Sequence, residues 1–380
     1  MEHNGTNILV INFGSTSTKI AIFNGKEPVF IKSYDHGSDE YPGKFRDLNE
    51  HQQFAMGLID GIVKNNGYTY EDFDVYVARG GAQVFIESGA YLINDVMLED
   101  TYKIGGERHP GKLGTRICYE LGKKYGKPAY IYNGPSVDEY RDEARLTGLH
   151  EIIRSSHIHT LNQKEVAHRY ADKVGKKYEE LNLIVCHLGG GMTITAHRKG
   201  LMIDSSDSVE GDGPMAPTRA GSLPANPLID LCFSGEYKKE ELIVRLVKNG
   251  GLMDHLGTAD LREVEKRIAD GDAFAKIVYD TMVYQITKYA GQMAAALEGK
   301  VDAVLLTGGM ARSEKLVAAL TEKLTWIAPV DAFPGEFEME GLAAGALRVI
   351  RGEEQPKTYT GQDVWRGFPG QPDRGNTKQA

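Results

Sequence analysis

Two strand–turn–strand units, beginning at Ile8 and Leu183 and so 175 residues apart, constrain this chain more than any other feature. The first reads Ile8-Leu-Val-Ile-Asn-Phe-Gly-Ser-Thr-Ser-Thr-Lys-Ile-Ala-Ile-Phe23, the second Leu183-Ile-Val-Cys-His-Leu-Gly-Gly-Gly-Met-Thr-Ile-Thr-Ala-His-Arg198. In each, an apolar run enters a turn of small residues and leaves as a second β-rich run. A second pair follows in the same order, Asp74-Val-Tyr-Val-Ala-Arg-Gly-Gly-Ala82 and Asp302-Ala-Val-Leu-Leu-Thr-Gly-Gly-Met-Ala311, this time 228 residues apart. The unequal offsets exclude an exact tandem copy. They leave an old duplication whose second half carries more chain between equivalent elements. Strands alternating with helical periods make both halves α/β.

The remaining pattern sets the expected organisation. A third strand is expected at 29–34, and helices at 47–66, 113–125, 160–178, 272–297 and 340–350. Further strands are expected at 74–78, 129–132 and 301–306. Residues 99–110 read as a polar surface loop. Residues 204–227 are irregular and dense in turn residues, and a loop of that length in a compact domain is more often functional than decorative. The chain divides into a first lobe at 1–155, completed by the C-terminal helix 339–352, and a second at 156–338. A polar tail from 353 to 380 is expected to be poorly ordered or laid on the surface.

A chain of 380 residues with 41% hydrophobic and 26% charged residues is ordinary for a globular protein of two domains. Its formal charge of −9 argues against general nucleic-acid or membrane-surface binding. No basic segment followed by an apolar run opens it, and no run approaches the ~20 apolar residues that span a bilayer. Three scattered cysteines, Cys118, Cys186 and Cys232, fit a reducing cytoplasm better than a disulfide framework.

The two turns point to phosphate. Gly14-Ser-Thr-Ser-Thr18 offers hydroxyls and backbone amides with Lys19 directly behind. A Ser/Thr-rich hairpin alone is usually only a hairpin. The matching Gly189-Gly190-Gly191 changes that, because three glycines between apolar strands cost stability and are explained by something approaching the backbone closely. A pair of such turns predicts a nucleotide held between two lobes and ATP-dependent phosphoryl transfer. Competing phosphate motifs fail. Gly106–Lys112 has P-loop spacing, but Leu113 stands where a Ser or Thr should hold Mg²⁺. Gly211–Ala216 mimics a dinucleotide fingerprint, but Pro214 and Pro217 preclude the helix that should follow. Arg79, at a strand end, and Arg219, inside the long irregular loop, carry the planar fork suited to phosphate or carboxylate. His157 and His159 alternate at a helix entrance with no further metal ligand near them in sequence.

Taken together, Val10–Lys19, Leu161–Val166, Cys186–Gly191, Ala220–Pro224, His255–Thr258, Gly308-Gly309 and Ala343–Arg348 resemble the acetate/butyrate kinase family of the sugar kinase, actin and Hsp70 superfamily. Within it the likeness is closest to butyrate kinases. The resemblance covers nearly the whole chain, stopping around residue 357. It implies duplicated ribonuclease H-like domains, an actin-like ATPase fold with an interdomain nucleotide cleft, and reversible transfer of the ATP γ-phosphate to a short-chain carboxylate such as butyrate or isobutyrate, giving ADP and an acyl phosphate. By the same resemblance, Asn12, Ser15, Ser17 and Lys19 lie at the first phosphate turn. His187, Gly189, Gly190 and Gly191 form the second. Asp260, Leu261 and Arg262 face the adenosine, and Gly308, Gly309, Met310, Ala311 and Arg312 wrap its other side. Arg79, His109, Asn133, His159 and Arg219 serve substrate and transition state, and Asn12 and Glu338 serve Mg²⁺. A homo-oligomer, a dimer or multiple of dimers, is also implied.

The chain departs from the family at two places. Phe13 stands where Pro is usual, and Asn133 stands where the family carries an Asp treated as catalytic in acetate kinases. Asn keeps the shape but cannot act as a base. A carboxylate substrate is already ionised at neutral pH and needs none. The rival readings are a sugar kinase, which would want that base, an actin- or Hsp70-like ATPase, and a nucleotide-binding paralogue with weakened catalysis. Asp138 is the alternative acid.

Overall fold

The computed structural model describes residues 5–14, 17–42, 44–81, 83–104, 109–207 and 209–370. They form two compact units, one reaching Asp138 and resuming at Phe337, the other running from Glu139 to Glu336. Both are α/β.

The first unit opens with β1 (Asn7–Phe13), β2 (Ser17–Asn24) and β3 (Glu27–Asp35), followed by α1 (Leu48–Asn65), β4 (Val75–Ala78) and β5 (Ala90–Leu92). It continues with α2 (Asp95–Lys103), α3 (Gly111–Tyr125) and β6 (Ala129–Tyr132). The second unit contains α4 (Asp142–Arg145), α5 (Thr160–Val174), β7 (Asn182–Leu188), β8 (Met192–Arg198) and β9 (Leu201–Ser205). After these come α6 (Ala225–Phe233), α7 (Lys239–Lys248), α8 (Leu252–Leu256), α9 (Leu261–Ala269) and α10 (Ala273–Ala296). The unit closes with β10 (Ala303–Gly308), α11 (Glu314–Leu324) and β11 (Val330–Pro334). Then α12 (Glu338–Ile350) and β12 (Lys357–Thr358) belong to the first unit.

The duplication is plain in the sheets. One has the order β12-β5-β6-β4-β1-β2-β3, the other β11-β10-β7-β8-β9. In each, three strands run as an antiparallel meander, and two more continue the sheet in parallel from its first strand: β4 beside β1 and β6 beside β4, β10 beside β7 and β11 beside β10. Both repeats read from the sequence fall on equivalent strands. The equivalence extends to single hydrogen bonds. Asn7 and Asp74 clamp the start of β1 to β4, with Asn7 N–H donating to the Asp74 carboxylate (2.8 Å) and Asp74 N–H to the Asn7 carbonyl (2.9 Å). Asn182 and Asp302 repeat that pair between β7 and β10, at 2.7 and 2.8 Å. The central strands are apolar on both faces because helices or loops cover both, as in parallel sheets generally.

Three expectations need correction. Residues 99–103, expected in a loop, belong to α2, where Asn94 caps the helix by accepting from Met97 N–H. Residues 139–155, expected in the first lobe, pack with the second unit. Arg154 holds Asp204 (2.9 Å) and Asp212 (2.7 Å), and Glu139 pairs with Lys164 (2.9 Å), so charge pairing draws this segment there. The tail is no loose end as far as Gly370. β12 adds an edge strand beside β5, and Tyr359 is 2% exposed, its hydroxyl accepting from Val84 N–H and donating to Asp100. Among the described residues no helix is long and apolar enough to cross a membrane.

Candidate active site

In the first unit the site starts from the β1–β2 hairpin, whose register sets Asn12 opposite Lys19. Gly14 N–H donates to the Ser17 carbonyl (2.8 Å) and closes the turn; Ser15 lies outside the described residues. Glu338, the first residue of α12, is brought to this hairpin. It accepts from Asn12 Nδ2 at 2.7 Å, and its carboxylate lies 4.0 Å from Lys19 Nζ and 3.9 Å from Arg79 Nη1. A carboxylate in the first turn of a helix is favoured by the helix dipole. Arg79, released at the end of β4, also donates through Nη2 to the Phe13 carbonyl (2.9 Å). Among the described residues, two buried polar atoms of this cluster have no hydrogen-bond partner, Asn12 Oδ1 and Arg79 Nε. Asn12 Oδ1 beside the Glu338 carboxylate is a pair of hard oxygen donors of the kind Mg²⁺ takes, so these residues fit that ion.

His109 precedes α3 and accepts from Gly111 N–H through Nδ1 (3.2 Å). Burial, then the charges of Arg79 and Lys112, push its pKa down and keep the ring neutral. In the sequence Lys112 completes only a failed P-loop spacing. It is 1% exposed in the first turn of α3, close enough to His109 to act on its protonation. Asn133 follows β6 in the left-handed region (φ 44°), and its Oδ1 accepts from Gly89 N–H at 2.7 Å. Asn tolerates that backbone better than most residues. The Asn133 side-chain oxygen is therefore engaged in holding a turn.

In the second unit, β7 and β8 are joined by Gly189-Gly190-Gly191, and the loop after β9 is laced to it. Thr218 Oγ1 donates to the Gly190 carbonyl (3.0 Å). The Arg219 guanidinium lies against Gly191 so closely that a β-carbon there would stand 2.6 Å from Nε. That contact is what the third glycine permits. Arg219 is partly desolvated, which lowers its pKa, while the Asp207 carboxylate acts in the opposite direction. His159, at the N-terminus of α5, stacks on His187 (3.9 Å, 8°) and bonds Thr193 Oγ1 through Nδ1 (3.0 Å). His187 is fully enclosed, and burial pushes its pKa down to about 4. The sequence offered no further ligand near His157; the fold brings Asp207 and Glu210 to it, with their ligand atoms within 4.8 Å of one another.

The residues read as nucleotide contacts lie apart in the chain. Gly308 ends β10 at φ 91°, where a β-carbon would stand 2.3 Å from the Leu188 carbonyl; only glycine lets β10 end flush against the end of β7. Gly309, Met310, Ala311 and Arg312 form a single 3₁₀ turn behind it, and the Arg312 guanidinium lies over Gly335. Asp260 caps α9 and binds Arg262 through both oxygens (3.0 and 2.7 Å), so these two are paired with each other. Leu261 is 8% exposed, with its side chain in the core, which leaves only its backbone for a ligand.

The chain is similar to the acetate kinase of Porphyromonas gingivalis (TM-score 0.71, 19% identity, covering 91% of this chain and 100% of that one). It is similar to a propionate kinase from Francisella tularensis subsp. tularensis SCHU S4 (0.70, 20%, 90% and 98%) and to the acetate kinase of Entamoeba histolytica (0.69, 18%, 90% and 98%). At such identities these structures establish the fold alone. A profile of the acetokinase family, however, matches residues 137–327, half of the chain and the stretch that carries the glycine turn, His159, His187 and Arg219: the chain belongs to the acetokinase family.

Proposed function

We propose that this carboxylate kinase transfers the γ-phosphate of ATP to butyrate or isobutyrate, reversibly, to give an acyl phosphate. The observation that carries the reading is the Arg219 guanidinium laid over the triple-glycine turn, a planar cation beside backbone amides. A carboxylate oxygen of the substrate attacks the γ-phosphorus, the bond to the ADP oxygen breaks, and ADP leaves. No proton is removed from the nucleophile. Asn133, whose side-chain oxygen is committed to Gly89, is compatible with that chemistry and not with the base a sugar hydroxyl would need. Arg79 and Arg219 stabilise charge on the transferring group. Asn12 and Glu338 would hold Mg²⁺, which when bound neutralises the phosphate oxygens. His159, stacked on His187, and neutral His109 serve as hydrogen-bonding groups for phosphate or substrate. Asp260, Arg262 and the turn at 308–312 serve the nucleoside end.

Preference for four carbons over two rests on the likeness to butyrate kinases. Two further methylenes are worth about 1.6 kcal/mol, on the order of tenfold in kcat/KM. Trapping the acyl phosphate with hydroxylamine, over acetate, propionate, butyrate and isobutyrate, tests the reading. Butyrate or isobutyrate should lead, with acetate measurable but poor. Acetate matching both would reassign the substrate, and nucleotide binding with no product from any acid would leave the weakened paralogue.

We also propose a homo-oligomer, a dimer or multiple of dimers, working in the reducing cytoplasm. Helix α6 is apolar yet has no buried residue, with Phe233 87% and Ile229 52% exposed. A surface of that kind is covered in a working protein. Light scattering at micromolar concentration, with Phe233→Glu alongside, reads the oligomeric state.

A further inference from the structure

We propose that Asn162 is a positioning residue that fixes which nitrogen of His187 carries the proton, so that Nε2–H is presented to the glycine turn as a donor for a nucleotide phosphate oxygen. This rests on the kinase reading for the identity of the ligand, but not for the tautomer. Asn162 lies in the first turn of α5 and has no exposed surface. Its Nδ2 is 2.7 Å from His187 Nδ1 and 3.2 Å from Thr307 Oγ1, on β10. The Thr307 hydroxyl donates its one proton to the Gly335 carbonyl (3.1 Å). Its oxygen must therefore accept from Asn162, which settles that the amide turns its NH₂, and not its carbonyl, toward both neighbours. One N–H goes to Thr307 and the other to His187 Nδ1. A ring whose Nδ1 accepts bears its single proton on Nε2.

The exposed consequence is at the other side of the ring. A β-carbon on Gly189 would stand 3.3 Å from His187 Nε2, so this nitrogen flanks the phosphate turn. The burial that keeps the imidazole uncharged leaves it a neutral donor whose direction is set by a chain running from the Gly335 carbonyl through Thr307 and Asn162. An unspecified tautomer would present a bare nitrogen lone pair to phosphate part of the time, and that contact is repulsive.

Three proteins test this: wild type, Asn162→Leu and Asn162→Asp. In ¹⁵N-histidine NMR, with His187 identified by its loss in His187→Gln, wild type should show the Nε2–H form; the Nδ1–H form overturns the proposal regardless of any activity. ATP affinity is then measured calorimetrically from pH 6 to 9. Asn162→Leu, which cannot orient the ring, should bind ATP about tenfold more weakly, the worth of one hydrogen bond to a charged group. Asn162→Asp demands a proton on Nδ1 and raises the His187 pKa, so its ATP affinity should fall as pH rises, while wild type shows no such dependence from this ring. Both variants binding ATP within twofold of wild type at every pH would refute the role, and a fold change seen only as a lower Tm would make Asn162 structural. Should Asn162→Asp fail to fold, the NMR of wild type and the Leu variant still decide. If wild type binds no ATP, the kinase reading falls while the tautomer stands or falls on its own spectrum.

Discussion

Gly191→Ala probes the arginine at the glycine turn without removing any group. The added methyl would stand 2.6 Å from Arg219 Nε, 3.0 Å from Cζ and 3.2 Å from Nη2. Restoring ordinary contact requires the guanidinium to retreat by roughly 0.8 Å, from 2.6 Å to the 3.4 Å of normal packing. The atoms in the way are the end of a flexible side chain, and Gly191 is not among the positive-φ glycines, so the backbone need not move. Stability should therefore change by less than about 1 kcal/mol, as at other sites without core or backbone penalties. The chemistry should suffer more. Misplacing a catalytic group by ~1 Å costs on the order of 10²-fold, and an arginine serving a transferring phosphoryl group is worth roughly 10³–10⁵ in rate. We expect kcat in the hydroxamate assay at saturating ATP and butyrate to fall about 10²-fold, with Tm and ATP KM little changed. Gly190→Ala is the comparison: its methyl meets only Thr218 Oγ1, at 3.7 Å, so any loss there should appear in ATP KM and not in kcat. A Gly191→Ala enzyme within threefold of wild-type kcat would show that Arg219 does not act from where it lies.

Other predictions follow from the same geometry. Glu338→Gln should raise the Mg²⁺ needed for half-maximal activity; an unchanged Mg²⁺ titration would remove Glu338 from the ion's site. Asn133→Ala should cost about 2 kcal/mol in urea denaturation, from an alanine at φ 44° and the lost bond to Gly89. Asn133→Asp keeps an acceptor for Gly89, so it should stay folded and raise activity; an equal loss of stability in both variants would mean the Gly89 bond carries nothing. Buried His187 protonates only near pH 4 when folded but near 6.5 when unfolded, and buried His197 is shifted the same way. The unfolded chain then binds more protons, so this stability is present above pH 6.5 and lost as pH falls toward 4. His187 alone accounts for about 2 kcal/mol at pH 5, and His187→Gln should flatten the slope between pH 7 and 5. Tyr359→Ala should destabilise the protein by about 3 kcal/mol, which thermal unfolding reads directly; a neutral result would return the tail to the loose surface segment its composition resembles.

Much of the fold was legible because its signals are local. The apolar runs Ile8–Phe13 and Leu183–Leu188, each ending in small residues, announce hairpins within a window of sixteen residues, and their repetition announces two α/β halves. The hairpin register alone sets Asn12 opposite Lys19. Those are consequences of strand periodicity and turn chemistry, which any short segment carries with it. The family resemblance added residue identities to this frame, and the acetokinase match supports it over residues 137–327.

What no window contains is which distant surface comes to the hairpin. Glu338 reaches Asn12 across 326 residues of sequence. Arg219 lies against Gly191 because the loop after β9 folds back on the turn, and Asn162 acts on His187 because Thr307 arrives on β10 to orient its amide. Residues 139–155 join the second unit through the ion pairs of Arg154 and Glu139, and Tyr359 is buried although its neighbours in sequence are polar. Hydrogen bonds and charge pairs between remote segments have no periodicity to announce them. Their energies are decided only after the sheets have assembled and the polar groups left inside must each find a partner. The sequence by itself determined two β-hairpins, their small-residue turns and the types of residue available for phosphate chemistry. Tertiary structure decided which of those residues meet, and in which protonation state they do so.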